Sequence, residues 1–523
     1  MKNSFFLVIP KQQSNALRLK EFEEKTLQHW INELPTANPG LATRLIHDFL
    51  AEFNSLEMPA QLRLSALELL RPSVLVIEDY LRSRLITTGF PKEEADKKIL
   101  AVLVSIQRYN TIGYWAVLKE LTQRDAGWFQ GKNIAVAIQR CIKGLSSVVI
   151  SHFIMGMTVP DWVWIDLHSL YRLSVKTKKD TTTVVNDAGQ INKGSSPEEC
   201  YRQILLLSLT DPTGLMQKEV LLVYKFIESL NDVVSLKNQP IAGQQVQCVI
   251  QTDEDLPPFF DKSPATQDAS RQYLDLTKLH KALINKQKLG STSEARFSSV
   301  HVLKNDSGKP TLELLDYLEQ RWSGVELQGA ALFPDRLDRY VAIGLEATHD
   351  LLMSQSMPAP KELEFLMQTA SERLLSCNFN KTGALSVGSL VSFRKTDIAE
   401  HRRSLGVVSK LVVEKQSGKI SVGLQLLARQ SLPVTYVHID TGISQKGLFY
   451  GIKEPDGEKG FLLTDNFVLK NDDIIRMTLK NEDLPIILGN RRNVGLGYWQ
   501  FECRRLAENA KASVPAKKGY DFI

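Results

Sequence analysis

A chain of 523 residues with 43% hydrophobic and 24% charged residues has room for several domains and the balance of ordinary globular protein, which excludes the disordered and fibrous classes. The net charge of +5 is spread along the sequence without a Lys/Arg stripe, so an anionic small ligand is accommodated and a duplex nucleic-acid surface is not indicated. Cys141, Cys200, Cys248, Cys377 and Cys503 are isolated and never form Cys-x-x-Cys, which argues against a disulfide framework or a zinc site.

The opening MKNSFFLVIPKQQ holds five consecutive apolar residues before Pro10, short of the roughly 7–15 that form a signal-peptide core. No uninterrupted apolar run approaches the roughly 18 residues of a membrane span. A cytoplasmic chain without a membrane span is therefore expected.

From about residue 38 to 175 the apolar period is helical. NPGLATRLIHDFLAEFNSL starts with Asn38 and Pro39, a helix-opening pair, and places Leu41, Leu45, Ile46 and Leu50 near one face. The next run, AQLRLSALELLRPSVLVIEDYLRSRLI, crosses Pro72, which predicts a kink or restart. EEADKKILAVLVSIQRYNTIGYWAVLKEL and NIAVAIQRCIKGLSSVVISHFIMGM predict two more helices, with a break near Gly113 in the former. In VPDWVWIDLHSLYRLSV, Trp164, His168 and Tyr171 recur at i, i+4 and i+7 on one stripe.

Residues 176–197 lack periodicity and predict a flexible surface loop. Helices resume at EECYRQILLLSLTDPTGL and QKEVLLVYKFIESLNDVV, succeeded by a strand-like QQVQCVIQT and an exposed linker, DEDLPPFFDKSPATQDA. RQYLDLTKLHKALINKQKL and LELLDYLEQRWSGV are again predicted helical. Near residue 330 the pattern changes: RYVAIGLEA is strand-like, KELEFLMQTASERLL predicts a short helix, and the remainder of the chain is mostly β. Strand candidates SLVSFRK, RSLGVVSKLVVEK and KISVGLQLLA come first, the last two joined by a Ser417-Gly418 turn. VTYVHID, GLFYGIK, GFLLTDNFV, DIIRMTLK and YWQFECRRL come next, at the spacing of barrels or sandwiches.

Enzyme signatures are missing: there is no Walker-type phosphate loop, no His-Glu-x-x-His and no Gly-x-Ser-x-Gly. Gly495-x-Gly497 opens a strand and is no dinucleotide fingerprint. His168 reads as a helix-packing residue, and Asp161 and Asp166 as solvent-facing residues at a helix start. A non-catalytic protein without cofactor or metal is expected. The stretch CNFNKTGALSVG sets Asn378, Asn380 and Gly383 where left-handed backbone is tolerated, which serves a plain turn or a ligand-reading loop equally.

The segment from about 321 to 430 resembles the PilZ family, small bacterial β-barrels that bind cyclic di-GMP. FPDRLDRYVAIGLEA offers Arg336 and Arg339 ahead of a strand, where the family carries Arg-x-x-x-Arg. NFNKTG offers Asn378-x-Asn380-x-x-Gly383 for the family's Asp/Asn-x-Ser-x-x-Gly, and SLGVVSKL and SVGLQLLA fit its later strand pair. The arginines are three apart instead of four, and Asn380 stands for the usual Ser. LPTANPG, LLRPSV, LHSLYRLS and YRQILLLSLTDPTGL extend the likeness to proteobacterial proteins with a long helical region and an atypical PilZ-like C-terminus.

The resemblance implies an α+β multidomain chain. Residues 1–250 form a helical domain, 251–330 a linker and helical segment, 331–430 a PilZ-like antiparallel barrel, 431–510 a further β module and 511–523 a disordered tail. It implies a cyclic-di-GMP receptor with Arg336 and Arg339 on phosphate and guanine, Asn378, Asn380 and Gly383 on base and backbone, and a protein partner on the helical region. Arg suits this task because its charged fork pairs bidentately with phosphate or with the guanine Hoogsteen edge. The expected geometry has both guanidinium groups facing the Asn-rich loop. The alternative is a non-catalytic scaffold whose barrel binds no nucleotide.

Overall fold

The computed structural model describes residues 5–123, 131–185, 194–263, 268–292, 295–297, 309–324, 331–355, 363–415, 417–438, 442–455 and 457–506. The expected tail, 511–523, lies outside them. A helical region comes first and two antiparallel β-barrels come after it, as the α+β reading required.

The helical core is built from α1 (Pro39–Ser55), α2 (Ala60–Ile86), α3 (Glu94–Gln123), α4 (Gly131–Ile154), α5 (Val163–Lys176), α6 (Pro197–Ser208) and α7 (Gln217–Glu228). Asn38 caps α1 as expected, its side-chain oxygen accepting the Leu41 N–H at 3.2 Å. Neither Pro72 nor Gly113 ends its helix. α2 runs unbroken through Pro72 and α3 through Gly113. Gly113 is there for close packing: a Cβ on it would stand 3.0 Å from the Leu67 side chain of α2. By length and composition α4 could cross a bilayer, but 78% of its most apolar window is buried. It is a core helix of the bundle, packed against α3, α5, α6 and α7.

His168 is the packing residue its stripe predicts. Its ring is fully buried, Nδ1 lies 2.6 Å from the Tyr201 hydroxyl, and Nε2 lies 2.9 Å from the Leu256 carbonyl. Trp164 stacks on it. The reading of Asp166 as solvent-facing is overturned: it is 1% exposed, and its carboxylate accepts the N–H groups of Phe6 at 3.0 Å and Leu7 at 2.9 Å. This ties the N-terminal strap to the bundle. α5 is capped from a distance by Asp255, which accepts from the Trp162 and Ile165 N–H groups. Asp161 is exposed and reaches Lys415 at 3.3 Å.

The expected linker and helix after residue 251 give way in part to a four-stranded antiparallel sheet, ordered Ser235–Lys237, Arg271–Asp275, Gln247–Gln251, Phe259–Asp261. Pro257 and Pro258 precede its edge strand, where a missing N–H costs nothing. Residues 264–267 of that stretch are outside the described residues, as are 186–193 of the expected loop after α5. That loop otherwise forms a two-residue pairing of Val184–Val185 with Gly194–Ser195.

The first barrel holds β1 (Arg339–Ile343), β2 (Phe365–Ser371), β3 (Leu374–Cys377), β4 (Leu390–Lys395), β5 (Ser404–Val413) and β6 (Ile420–Ala428), with helix α8 (Leu345–Leu352) between β1 and β2. KELEFLMQTASERLL is not helical where it is described: it is the β2–β3 hairpin, with Met367 and Leu375 fully buried in the barrel. The second barrel holds β7 (Leu432–His438), β8 (Ser444–Glu454), β9 (Gly457–Thr464), β10 (Ile474–Leu479), β11 (Glu482–Gly495) and β12 (Tyr498–Arg505).

The two barrels share one topology. Numbered one to six within each, the strands pair 1-2-3-6-5-4 and close from 4 back to 1, antiparallel throughout. Their outer faces pack together through Leu390, Leu405 and Val407 against Leu448, Tyr450, Phe461 and Leu463.

Burial lowers the His168 pKa from 6.5 to about 4, so the fold requires the neutral ring. The stability this ring contributes is complete above about pH 6.5 and is lost as the pH falls towards about 4. Asp166, raised to about 6 by burial, works in the opposite sense over an overlapping window. Denaturant midpoints measured from pH 4 to 8 should therefore fall more steeply with acid in the native chain than in His168→Gln, because Asp166 is common to both.

Candidate functional site

The five residues singled out from sequence all lie on the first barrel. Arg339 opens β1 and faces inward, level with Met367 of β2. It is 3% exposed. Its guanidinium lies 5.6 Å over the Phe333 ring and donates to Asp335 Oδ1 at 2.5 Å, to the Asp338 carbonyl at 3.2 Å and to the Leu337 carbonyl. Lys395 of β4 takes the other Asp335 oxygen at 2.8 Å. Between Lys395 and Arg339 the Asp335 carboxyl is held far below the usual carboxylate range. Arg339 thus closes one mouth of the barrel. Arg336 is exposed, in a turn with φ 53°.

Register separates this segment from the Asn-rich loop. The Phe333 N–H donates to the Glu372 carbonyl at 2.9 Å and the Thr369 hydroxyl to the Leu337 carbonyl at 2.6 Å, so the arginine segment runs beside the β2–β3 hairpin. β3 leads away from that hairpin, and Asn378 comes directly after it. Arg339 and Cys377 stand level with one another across β2, about 10 Å apart at the usual strand spacing. From there the two segments diverge. The structure brings Asn378, Asn380 and Gly383 together, and it does not turn Arg339 towards them.

The loop itself has two halves with different roles. In the first, Asn378 and Asn380 are exposed and their side chains make no hydrogen bond among the described residues, while Phe379 tucks in against Phe365 at 5.2 Å. Lys381 is exposed beside them. Lys419 precedes Ile420, the register partner of Cys377, and reaches Gln368 at 3.3 Å. This outer face therefore offers two amides and two ammonium groups to an anion. Glu414 at its margin is occupied by Ser376, Ser417 and Ser421, whose hydroxyls hold its carboxyl low.

The second half is docked on the helical region. The Gly383 N–H, at φ 70°, donates to the Pro91 carbonyl at 2.9 Å, and Leu385 exchanges both backbone bonds with Phe90 at 2.6 and 2.8 Å. Further along, Gly388 accepts from Leu496 of the second barrel at 2.7 Å. One loop thus touches the helices, the first barrel and the second. Sequence reading missed Phe90, Pro91, Lys381 and Lys419. The Gly89-Phe90-Pro91 turn between two helical runs was the available signal.

Two cavities stand near this junction. One of about 130 Å³, lined by Phe90, Met216, Val387, Leu411 and Leu496, is far too small for a dinucleotide. A groove of about 790 Å³ beside Trp164, Pro258 and Phe259 is large enough, but Asp161, Asp211 and Asp255 outnumber Lys262 and Arg321 along it. That balance disfavours a phosphodiester. Among the described residues no three His, Cys, Asp or Glu side chains gather as a metal site.

These features define a helical bundle carrying twin antiparallel barrels, with a polar, cationic loop at the junction. Residues 25–240 match the family model described as the N-terminal domain of the cyclic-di-GMP receptor FimW. Over 346 residues the chain is 25% identical to the cyclic-di-GMP receptor FimW of Pseudomonas aeruginosa, covering 66% of this chain and 56% of that protein. The chain thus spans little more than half the length of this curated relative. No solved structure matches.

Arg339→Ala should lower the unfolding free energy by about 1–2 kcal/mol, since it removes a buried guanidinium whose partner Asp335 is exposed and keeps Lys395. Arg336→Ala should stay within about 0.5 kcal/mol, as for other exposed positions. Urea unfolding of the two variants beside the native chain checks both values.

Proposed function

We propose that this chain is a cytoplasmic, non-catalytic receptor for cyclic di-GMP, in which a PilZ-like first barrel takes the nucleotide and the helical region passes its presence to a protein partner. The likeness of residues 25–240 and of the wider alignment to a protein described as a cyclic-di-GMP receptor carries this reading. Support from the site comes from the exposed, unpartnered Asn378 and Asn380 beside Lys381 and Lys419. An amide can donate to and accept from a guanine edge, and the ammonium groups answer the two phosphodiester charges. Gly383 leaves the backbone open on that side, with no atom within 4 Å of where a Cβ would stand. Among the described residues the Arg336 side chain makes no hydrogen bond or ion pair, so it is the free guanidinium of the arginine segment. Arg339 joins the ligand only by exchanging Asp335 for a phosphate. The five unpaired cysteines suit a reducing compartment.

The Arg339–Asp335 bond favours a second reading, the scaffold whose barrel binds no nucleotide. Calorimetry decides between them. The receptor reading expects binding in the micromolar range or tighter, weakened about 5–150-fold by Asn380→Ala or Arg336→Ala if each removes roughly 1–3 kcal/mol of ligand contact. GTP and cyclic di-AMP serve as controls. An absence of heat with cyclic di-GMP at high protein concentration, with a partner still co-purifying, establishes the scaffold.

A further inference from the structure

We infer that the backbone pairing of Gly383 and Leu385 with Pro91 and Phe90 is a coupling element, through which nucleotide at Asn378 and Asn380 and the setting of α2 against α3 control one another. This rests on the receptor reading and adds to it a route and a positioning residue, Gly89.

The loop is continuous and short: Gly383, whose N–H is bound to Pro91, stands three positions beyond the exposed Asn380. Its docked half holds on by main-chain bonds, Phe90 N–H to Leu385 at 2.6 Å, Leu385 N–H to Phe90 at 2.8 Å and Gly383 N–H to Pro91 at 2.9 Å. A side-chain contact absorbs a displacement by changing rotamer. A paired backbone moves with its partner or parts from it. Ordering the Asn residues around a ligand therefore acts directly on residues 89–91.

Those residues form the turn between α2 and α3, which have 27 and 30 residues and span about 40 and 45 Å at 1.5 Å per residue. A shift at the turn is carried along both rods. The cavity of about 130 Å³ beneath the pairing, lined by Thr88, Phe90, Met216 and Val387, gives the turn somewhere to go. Other attachments of the barrel to the bundle are made through β5 and its exit: Val413 N–H to Gly156 at 2.9 Å, and the ion pairs Lys410–Asp211 and Lys415–Asp161, each at 3.3 Å; Gly156 borders the same cavity as Phe90. They anchor β5, whereas the bonds to residues 89–91 are the loop's own.

Gly89 permits the pairing without touching the ligand face. A Cβ at this position would lie 2.7 Å from the Gly383 carbonyl oxygen and 2.8 Å from that of Leu385, both main-chain atoms. Gly89→Ala in the full chain therefore forces the pairing open while every residue of the ligand face stays unchanged. Calorimetry should show its affinity for cyclic di-GMP reduced about 5–150-fold, the usual span of coupling between sites. In the native chain, saturating nucleotide should alter amide hydrogen exchange at Phe90 and Leu385. Native binding with an affinity in Gly89→Ala within twofold, and exchange at both amides unmoved, overturns the coupling and leaves the receptor reading standing. Lack of native binding overturns the receptor reading and the coupling with it. If Gly89→Ala does not fold, the exchange measurement on the native chain decides.

Discussion

The pairing of Phe90 with Leu385 joins the helical region to a barrel by main-chain bonds, where each part already closes its own backbone. Each barrel closes its own hydrogen-bond ladder, and the helices bury their own core, so neither needs the other for backbone satisfaction. A connection made at the turn between the two longest helices of the bundle links the barrel to the parts of the bundle that extend furthest. The same loop goes on to receive Leu496 of the second barrel. Residues 383–388 therefore touch all three bodies, beside the β5 attachments to the bundle and the packing of the barrels on one another.

Closing the barrels raises a second problem, the mouths. A six-stranded barrel filled with aliphatic side chains leaves core atoms exposed at its ends, and both barrels cover one with a guanidinium on an aromatic ring. Arg339 lies 5.6 Å over Phe333 in the first, and Arg491 lies 3.8 Å over Trp499 in the second. In each case the group also donates to loop carbonyls, Leu337 and Asp338 in one and Phe467 in the other. Arg serves here because its flat face covers a ring while its rim satisfies backbone acceptors. Such a residue and a ligand-binding arginine look alike in sequence; the burial of the Arg339 guanidinium and its bond to Asp335 separate them.

The legible features were those set by local chemistry. Asn38-Pro39 opened a helix, the Trp164-His168-Tyr171 stripe packed inward, and the strands after residue 390 fell where alternation put them except β11 (Glu482–Gly495), which was not expected. Misreadings arose where two periods fitted the same residues. Leu363, Leu366, Met367, Ala370 and Leu374 recur at helical spacing, yet the segment is a hairpin, with Met367 buried and Leu366 49% exposed. Barrel closure overrode local preference there, as tertiary context commonly does. Asp166 misled for a different reason. Its partners are main-chain N–H groups about 160 residues away, and spacing within a helix carries no information about them. Of the site, the residue types of the Asn-rich loop were visible and their docking was not, because the receiving turn lies nearly 300 residues earlier in the chain.

The repeated strand order offers an internal comparison. In both barrels the chain leaves the third strand through an Asn-Phe pair, Asn378-Phe379 in one and Asn466-Phe467 in the other. In the first, Phe379 packs against the barrel and the Asn is free. In the second, Asn466 is spent within the fold, donating to Gln445 at 2.6 Å and accepting the Val468 N–H at 2.9 Å, while Phe467 is 73% exposed. The same dipeptide is thus turned over. One barrel presents an amide at this exit and the other an aromatic ring, a difference made by which side chain the neighbouring strands can satisfy. The polar exit is the one joined to the helices, so a ligand read by amides can act on the bundle from the first barrel and has no corresponding lever in the second.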